Sequence, residues 1–100
     1  MATISKTLAR TAAATSSTTL YTVPSATTTV VTNIVVTNTA GTSGTFTLLL
    51  DDVSIATTVT VGAYDSTIID MKQVLATTKT IKGLASATTI NFHISGVEIA

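Results

Sequence analysis

Alternation of apolar and polar residues over short segments is the dominant pattern of the chain, and it is typical of half-buried β-strands. The clearest case is Thr28–Asn38, in which Val30, Thr32, Ile34 and Val36 are predicted to share one face. The other face of this segment is apolar enough to be partly covered as well. The pattern therefore predicts a long strand near the centre of a sheet.

Six further segments from residue 20 onward show strand patterns, and turn signals separate them at the spacing of a sandwich. The seven predicted strands are Leu20–Val23, Thr28–Asn38, Thr45–Leu50, Val53–Val61, Ser66–Lys72, Thr78–Leu84 and Thr88–Ile99. Gln73–Thr77 is expected to form a turn or a single helical turn. No amphipathic helix is long enough to form a layer, so we expect an all-β fold. The predicted architecture is a single antiparallel β-sandwich, either immunoglobulin-like or jelly-roll.

The last predicted strand carries the sharpest alternation. Ile90, Phe92 and Ile94 are expected to point inward. Gly96 suggests a β-bulge, because glycine inside a strand often marks one. After such a bulge Val97 and Ile99 would continue the buried series.

The first 19 residues differ from the rest of the chain, since they include only two large aliphatic side chains. This stretch is too weakly apolar to fold alone, and we expect an extended N-terminal arm over residues 1–19. The β-sandwich domain is then predicted over residues 20–100. The arm would dock on its own domain or on a neighbouring subunit. The predicted interface residues are Ile4, Leu8, Arg10 and Tyr21.

Composition narrows the possible functions. Threonine fills 25 of the 100 positions, only 10% of residues are charged, and the formal net charge is zero. Five scattered basic residues argue against nucleic acid as a partner. No apolar run approaches the length of a membrane span, and the N-terminus lacks the apolar region of a secretory signal. A surface rich in threonine and poor in charge favours association with other proteins.

Few residues are candidates for catalysis or metal binding. The chain has no cysteine, which excludes a disulfide scaffold and a thiol nucleophile. His93 is the only histidine, and Glu98 points to the opposite face unless the expected bulge resets the register. Asp51-Asp52 is better explained by a turn than by calcium, because no spaced set of acidic ligands accompanies it. We therefore expect no enzymatic activity and no cofactor.

A carbohydrate-binding module or adhesin is an alternative from a different functional class. Such a module would use exposed aromatic platforms, and the only tyrosines are Tyr21 and Tyr64. The sequence favours a packing role for each of them.

The order of segments from residue 20 resembles a recurrent small domain of tailed-bacteriophage structural proteins. The matching segments are Leu20-Tyr21-Thr22-Val23-Pro24, Val35-Val36-Thr37-Asn38-Thr39, Thr45–Leu50 and Ile94-Ser95-Gly96-Val97-Glu98-Ile99. The resemblance covers roughly residues 20–100. The family's usual penultimate strand, A-G-D-x-I-x-G, is matched only in part by Thr78-Lys79-Thr80-Ile81-Lys82-Gly83.

This resemblance implies a non-enzymatic virion protein that is often multimeric. We expect a capsid decoration (cement) protein, with a tail or neck component as the alternative. The expected partners are the major capsid protein or other virion proteins and further copies of the chain, with a trimer favoured. The expected location is the virion, assembled in the host cytoplasm, with neither nucleic acid nor membrane as a partner.

Overall fold

A computed structural model of the chain describes residues 2–100 and has eight β-strands in two antiparallel four-stranded sheets. The strands are β1 Thr3–Ala12, β2 Thr18–Thr22, β3 Thr28–Asn38, β4 Gly44–Leu50, β5 Val53–Val61, β6 Ser66–Leu75, β7 Thr80–Ala85 and β8 Ile90–Ile99. One sheet has the order β1-β8-β3-β6, and the other has the order β2-β7-β4-β5. We call them the first and the second sheet. The prediction of an all-β antiparallel fold is confirmed.

The first strand is the main departure from the sequence-based expectation. Instead of an extended arm over residues 1–19 and seven strands, Thr3–Ala12 forms β1 and pairs with β8 at the edge of the first sheet. The expected boundary at residue 19 falls inside β2, and Met1 lies outside the described residues. An edge strand needs few apolar residues, because its backbone pairs on one side and only its inner face is covered. Leu8 alone is buried in β1.

A β-bulge at Thr32 changes the predicted inner face of β3. Against β8, Val31 pairs with Gly96 and Asn33 with Ser95, so Thr32 is an extra residue. Side-chain direction shifts by one position there. The buried apolar residues are consequently Val31, Ile34 and Val36, whereas Val30 and Thr32, which were predicted to share the face of Ile34 and Val36, point outward.

The expected bulge at Gly96 is wrong, since β8 alternates without a break from Ile90 to Ile99. Gly96 and Glu98 point inward, while Val97 and Ile99 point outward. The glycine is required for close approach: a Cβ there would clash with the carbonyl oxygen of Val30 and lie 2.9 Å from Leu8 Cδ1. Leu8 fills the space over Gly96 because β1 bulges between Thr7 and Ala9.

Strand β6 is longer than predicted, since it continues to Leu75 where a turn was expected over Gln73–Thr77. Leu75 pairs with Thr29 of β3 and is buried. The tight turn at Asp51-Asp52 is present between β4 and β5, and both residues have positive φ angles of 54° and 60°. That backbone suits a two-residue type I′ hairpin, and aspartate tolerates it better than most residues.

The two sheets enclose one apolar core. Phe46 of β4 and Phe92 of β8 meet edge to face at its middle, with ring centroids 6.2 Å apart and planes at 74°. Ile34, Ile81 and Ile94 are fully buried around them. The inner positions of both sheets therefore pack as in a sandwich.

Candidate functional site

A polar cluster lies inside the sandwich at the end where the first residues of β1 meet the last residues of β8. Glu98 points inward and is only 9% exposed. Its carboxylate accepts hydrogen bonds from Lys6 Nζ at 3.3 and 3.4 Å. Its neighbour on β3 is Thr29, which is fully buried. A charge in this position needs partners, because an unpaired buried carboxylate is costly.

Tyr21 supplies the contact that joins the two sheets at this end. It lies on β2 in the second sheet, and its hydroxyl donates a hydrogen bond to Glu98 Oε2. The same hydroxyl lies 2.8 Å from Thr29 Oγ1. Tyr21, Glu98, Thr29 and Lys6 form what we call the polar cluster. Its members come from β2, β8, β3 and β1, so it connects four strands.

The titration behaviour of the polar cluster follows from these contacts. Burial, strengthened by the adjacent Glu98 carboxylate, raises the pKa of Tyr21 to about 12. The hydrogen bond from Tyr21 and the Lys6 ammonium lower the pKa of Glu98, although its partial burial opposes the shift. At neutral pH the phenol is therefore protonated and the carboxylate ionised. This arrangement stabilises the fold and places no general base near neutral pH.

The four predicted interface residues have different environments. Ile4 is 53% exposed and Arg10 is exposed, both on β1. Leu8 belongs to the core of its own chain, and the Tyr21 hydroxyl is engaged in the polar cluster. Ile4 and Arg10 are therefore the two whose side chains are open to a partner, and their interface role stays a prediction.

His93 and Glu98 lie on opposite faces of β8, as expected for an unbulged strand. His93 points outward in register with Arg10 of β1 and Val35 of β3. His93 and Arg10 border an open depression of about 320 Å³, which is also lined by Thr11, Ala12 and Asn91.

The acidic turn is paired with lysines. Asp51 Oδ1 lies 3.5 Å from Lys79 Nζ, and Asp52 Oδ1 lies 2.7 Å from Lys82 Nζ. Among residues 2–100, no group of three or more His, Cys, Asp or Glu side chains is placed to hold a metal ion.

The two tyrosines differ in exposure. Tyr21 is half-buried and packs against the core, as the sequence favoured. Tyr64 is 78% exposed, with its ring against Gly41, and so lacks the packing role expected for it. It has a positive φ of 56° in the turn before β6.

The outer face of the first sheet carries exposed apolar side chains among polar ones. Two cross-strand rows contain apolar residues, one with Val97, Val30 and Val74 and the other with Val35 and Ile68. Ile68 and Val74, on the edge strand β6, are 65% and 67% exposed. These rows form what we call the outer apolar rows.

Two open depressions lie between the outer apolar rows and share Thr32. One, of about 520 Å³, is lined by Thr32, Asp70, Met71 and Lys72. The other, of about 510 Å³, is lined by Ser5, Lys6, Thr7, Thr32, Ser95, Gly96 and Val97. The bulge at Thr32 thus lies where the two depressions meet.

Sequence reasoning missed both the polar cluster and the outer apolar rows. Because Gly96 was interpreted as a bulge, Val97 and Ile99 rather than Glu98 were expected to be buried. Gly96 was the relevant signal, but glycine marks close backbone approach as well as bulges. The outer rows depend on the Thr32 bulge, for which the sequence gives no distinct signal.

No family model matches the chain, and no curated protein sequence matches it. Over residues 2–100 there is no helix of the length and apolarity needed to cross a membrane.

Proposed function

We propose that this chain is a non-enzymatic virion structural protein of a tailed phage, and that it acts as a capsid decoration protein. The observation that carries the proposal is the strand order, β1-β8-β3-β6 facing β2-β7-β4-β5. This is the order of a jelly roll, an architecture used by viral capsid and lectin domains. The resemblance of residues 20–100 to phage structural domains supports the same role.

The surface supports attachment through many weak contacts. The outer apolar rows consist of valine and isoleucine. Between them lie uncharged Thr32, Asn33 and Ser95 together with Asp70 and Lys72, and charged residues make up only 10% of the chain. Contacts of this kind depend little on salt. The proposed partner is the major capsid protein, and several copies at a symmetric site would add avidity.

Binding to shells tests the proposal. Empty shells of the phage that encodes the chain are mixed with purified protein, and saturable binding in proportion to the shell's symmetric sites is expected. Val74→Lys should weaken binding, whereas Val53→Lys should not. The two valines are matched, at 67% and 66% exposure, but Val53 lies on the second sheet. No binding, or equal loss from both variants, would contradict the proposal.

A tail or neck component is the alternative within this class. Immunogold labelling of purified particles distinguishes the two locations. Label distributed over the shell supports decoration, and label at one vertex or along the tail supports the alternative.

A sugar-binding module remains a second candidate because lectin domains share the jelly-roll architecture and Tyr64 is exposed in a loop. Glycan-array binding that Tyr64→Ala abolishes would support it.

A further inference from the structure

Four strands form the edges of the two sheets, and they differ in how well they could pair with another chain. Strand β2 has only five residues, and β5 has two register shifts and a positive φ at Thr58. Strand β1 carries charges of one sign, Lys6 and Arg10. Only β6 combines ten residues, exposed apolar side chains and charges of both signs. An unpaired edge of this kind is a template for strand addition.

We propose that β6 pairs antiparallel with β6 of a second copy of this chain, about a two-fold axis at Met71. In this register Ile68 of each copy lies opposite Val74 of the other, and Asp70 lies opposite Lys72. All four side chains are exposed on the outer face. The pairing joins two four-stranded sheets into one of eight strands.

The sequence of β6 is self-complementary in this register. In a two-fold interface, if residue i of one copy contacts residue j of the other, then residue j of the first copy also contacts residue i of the second. Every favourable pair therefore occurs twice. The Asp70–Lys72 and Ile68–Val74 pairs are the opposite-charge and aliphatic combinations that stabilise neighbouring strands. A shift of the register by two residues places Asp70 opposite itself or Lys72 opposite itself, which like-charge repulsion disfavours.

The outer apolar rows support the same register. Ile68 extends the row that contains Val35, and Val74 extends the row that contains Val30 and Val97. Pairing of Ile68 with Val74 therefore joins the row that contains Val35 in one copy to the row that contains Val30 and Val97 in the other. The register of β6 with β3 shifts near Met71, where Met71 and Lys72 lie opposite Thr32. Side chains of β6 nevertheless keep alternating, so the four outward residues stay on one face.

Charge reversal tests the pairing by sedimentation equilibrium or light scattering of the full chain. The wild-type protein is expected to be a dimer at high concentration. Asp70→Lys and Lys72→Asp should each weaken it at least about tenfold, because each turns two attractive pairs into repulsive ones. The double variant Asp70→Lys/Lys72→Asp should restore the dimer. An equimolar mixture of the two single variants should form a heterodimer.

Lys79→Asp is the matched control, since it changes net charge as Lys72→Asp does but lies in the turn before β7. It should leave the dimer intact. A wild-type chain that is monomeric at millimolar concentration, or trimeric, would overturn the proposal. So would a dimer that ignores the charge reversals.

Cross-linking checks the register. The chain lacks cysteine, so single substitutions report cleanly. Met71→Cys should form an intermolecular disulfide much faster than Thr67→Cys, because Met71 faces its own counterpart and Thr67 faces Leu75. Equal rates would contradict the register. The proposal does not depend on the virion role, since dimerisation is measured in the absence of shells. Val74 belongs to both proposed surfaces, so the charge reversals at Asp70 and Lys72 and the cysteine variants, and not Val74→Lys, test the pairing.

Discussion

The interior of the sandwich differs between its middle and the end that holds the polar cluster. In the middle, Phe46 and Phe92 pack with fully buried aliphatic residues. At the end, Tyr21 and Glu98 join the sheets through a hydrogen bond that is sensitive to protonation. The middle therefore stabilises the fold through the packing of buried side chains, and the end stabilises it through contacts that depend on pH. Variants that remove one contribution at a time measure this difference.

Phe92→Ala should have the largest effect, because it removes a fully buried ring from the middle of the core. We expect a loss of about 3–5 kcal/mol in the free energy of unfolding. Urea denaturation measures it. Asn91→Ala, at the neighbouring outward position, is the control and should change stability by no more than about 0.5 kcal/mol. A loss of similar size from both would contradict the assigned faces of β8.

Gly96→Ala should be the next most costly, by about 1–3 kcal/mol, because the added methyl group meets the Val30 carbonyl and Leu8. Ser95→Ala, one position away and facing outward, should be almost neutral. Denaturation of both variants under the same conditions gives the comparison. Wild-type stability in Gly96→Ala would show that β1, β8 and β3 are less closely packed there.

The polar end should show its contribution at high pH. Folding raises the pKa of Tyr21 from 10.0 to about 12, so the unfolded chain loses this proton first. Stability should therefore decrease as pH rises from 10 to 12. Tyr21→Phe should remove most of this decrease. Tyr64→Phe is the matched control, because Tyr64 lies outside the polar cluster. Thermal unfolding across this range measures both.

At low pH, Glu98 makes stability depend on pH in the opposite direction, so that stability decreases as pH falls. Folding lowers the pKa of Glu98, so its contribution is present at neutral pH and is lost as pH falls below about 4.5. Glu98→Gln should flatten the stability profile in that range relative to wild type. If the two profiles remain parallel, Glu98 does not titrate differently in the folded chain.

The smallest effects should come from the lysines. Lys79→Ala breaks only an exposed pair with Asp51 and should cost about 0–1 kcal/mol. Lys6→Ala should cost more than Lys79→Ala but less than Tyr21→Phe, since Glu98 keeps its bond to Tyr21. Equal effects of the two lysine variants would show that the polar cluster tolerates the loss of one partner.

The middle of the sandwich was more predictable from sequence than the polar end. The inward positions Ile90, Phe92 and Ile94 follow from simple alternation, and β3 and β5 have the predicted bounds. Alternation carries this information because one face of each strand is buried.

The polar end and the first strand depend on tertiary context. A bulge shifts every later side chain to the other face, so interpreting Gly96 as a bulge misplaced Glu98. Strand β1 has one buried apolar residue, Leu8, and its pairing with β8 relies on backbone hydrogen bonds that sequence patterns do not encode. The partners of Glu98 come from three other strands, which only the strand order brings together.

Ala2 and Ala100 exchange two backbone hydrogen bonds, of 3.0 and 2.9 Å. A short linker between these residues would close β1 and β8 into a hairpin, and new termini could open in the exposed turn at residues 41–43. Such a circular permutant should keep both sheets. Conversely, two proteins fused to residues 2 and 100 would emerge side by side from one corner of the sandwich. The fold thus offers a paired attachment point at the edge of the first sheet opposite to β6.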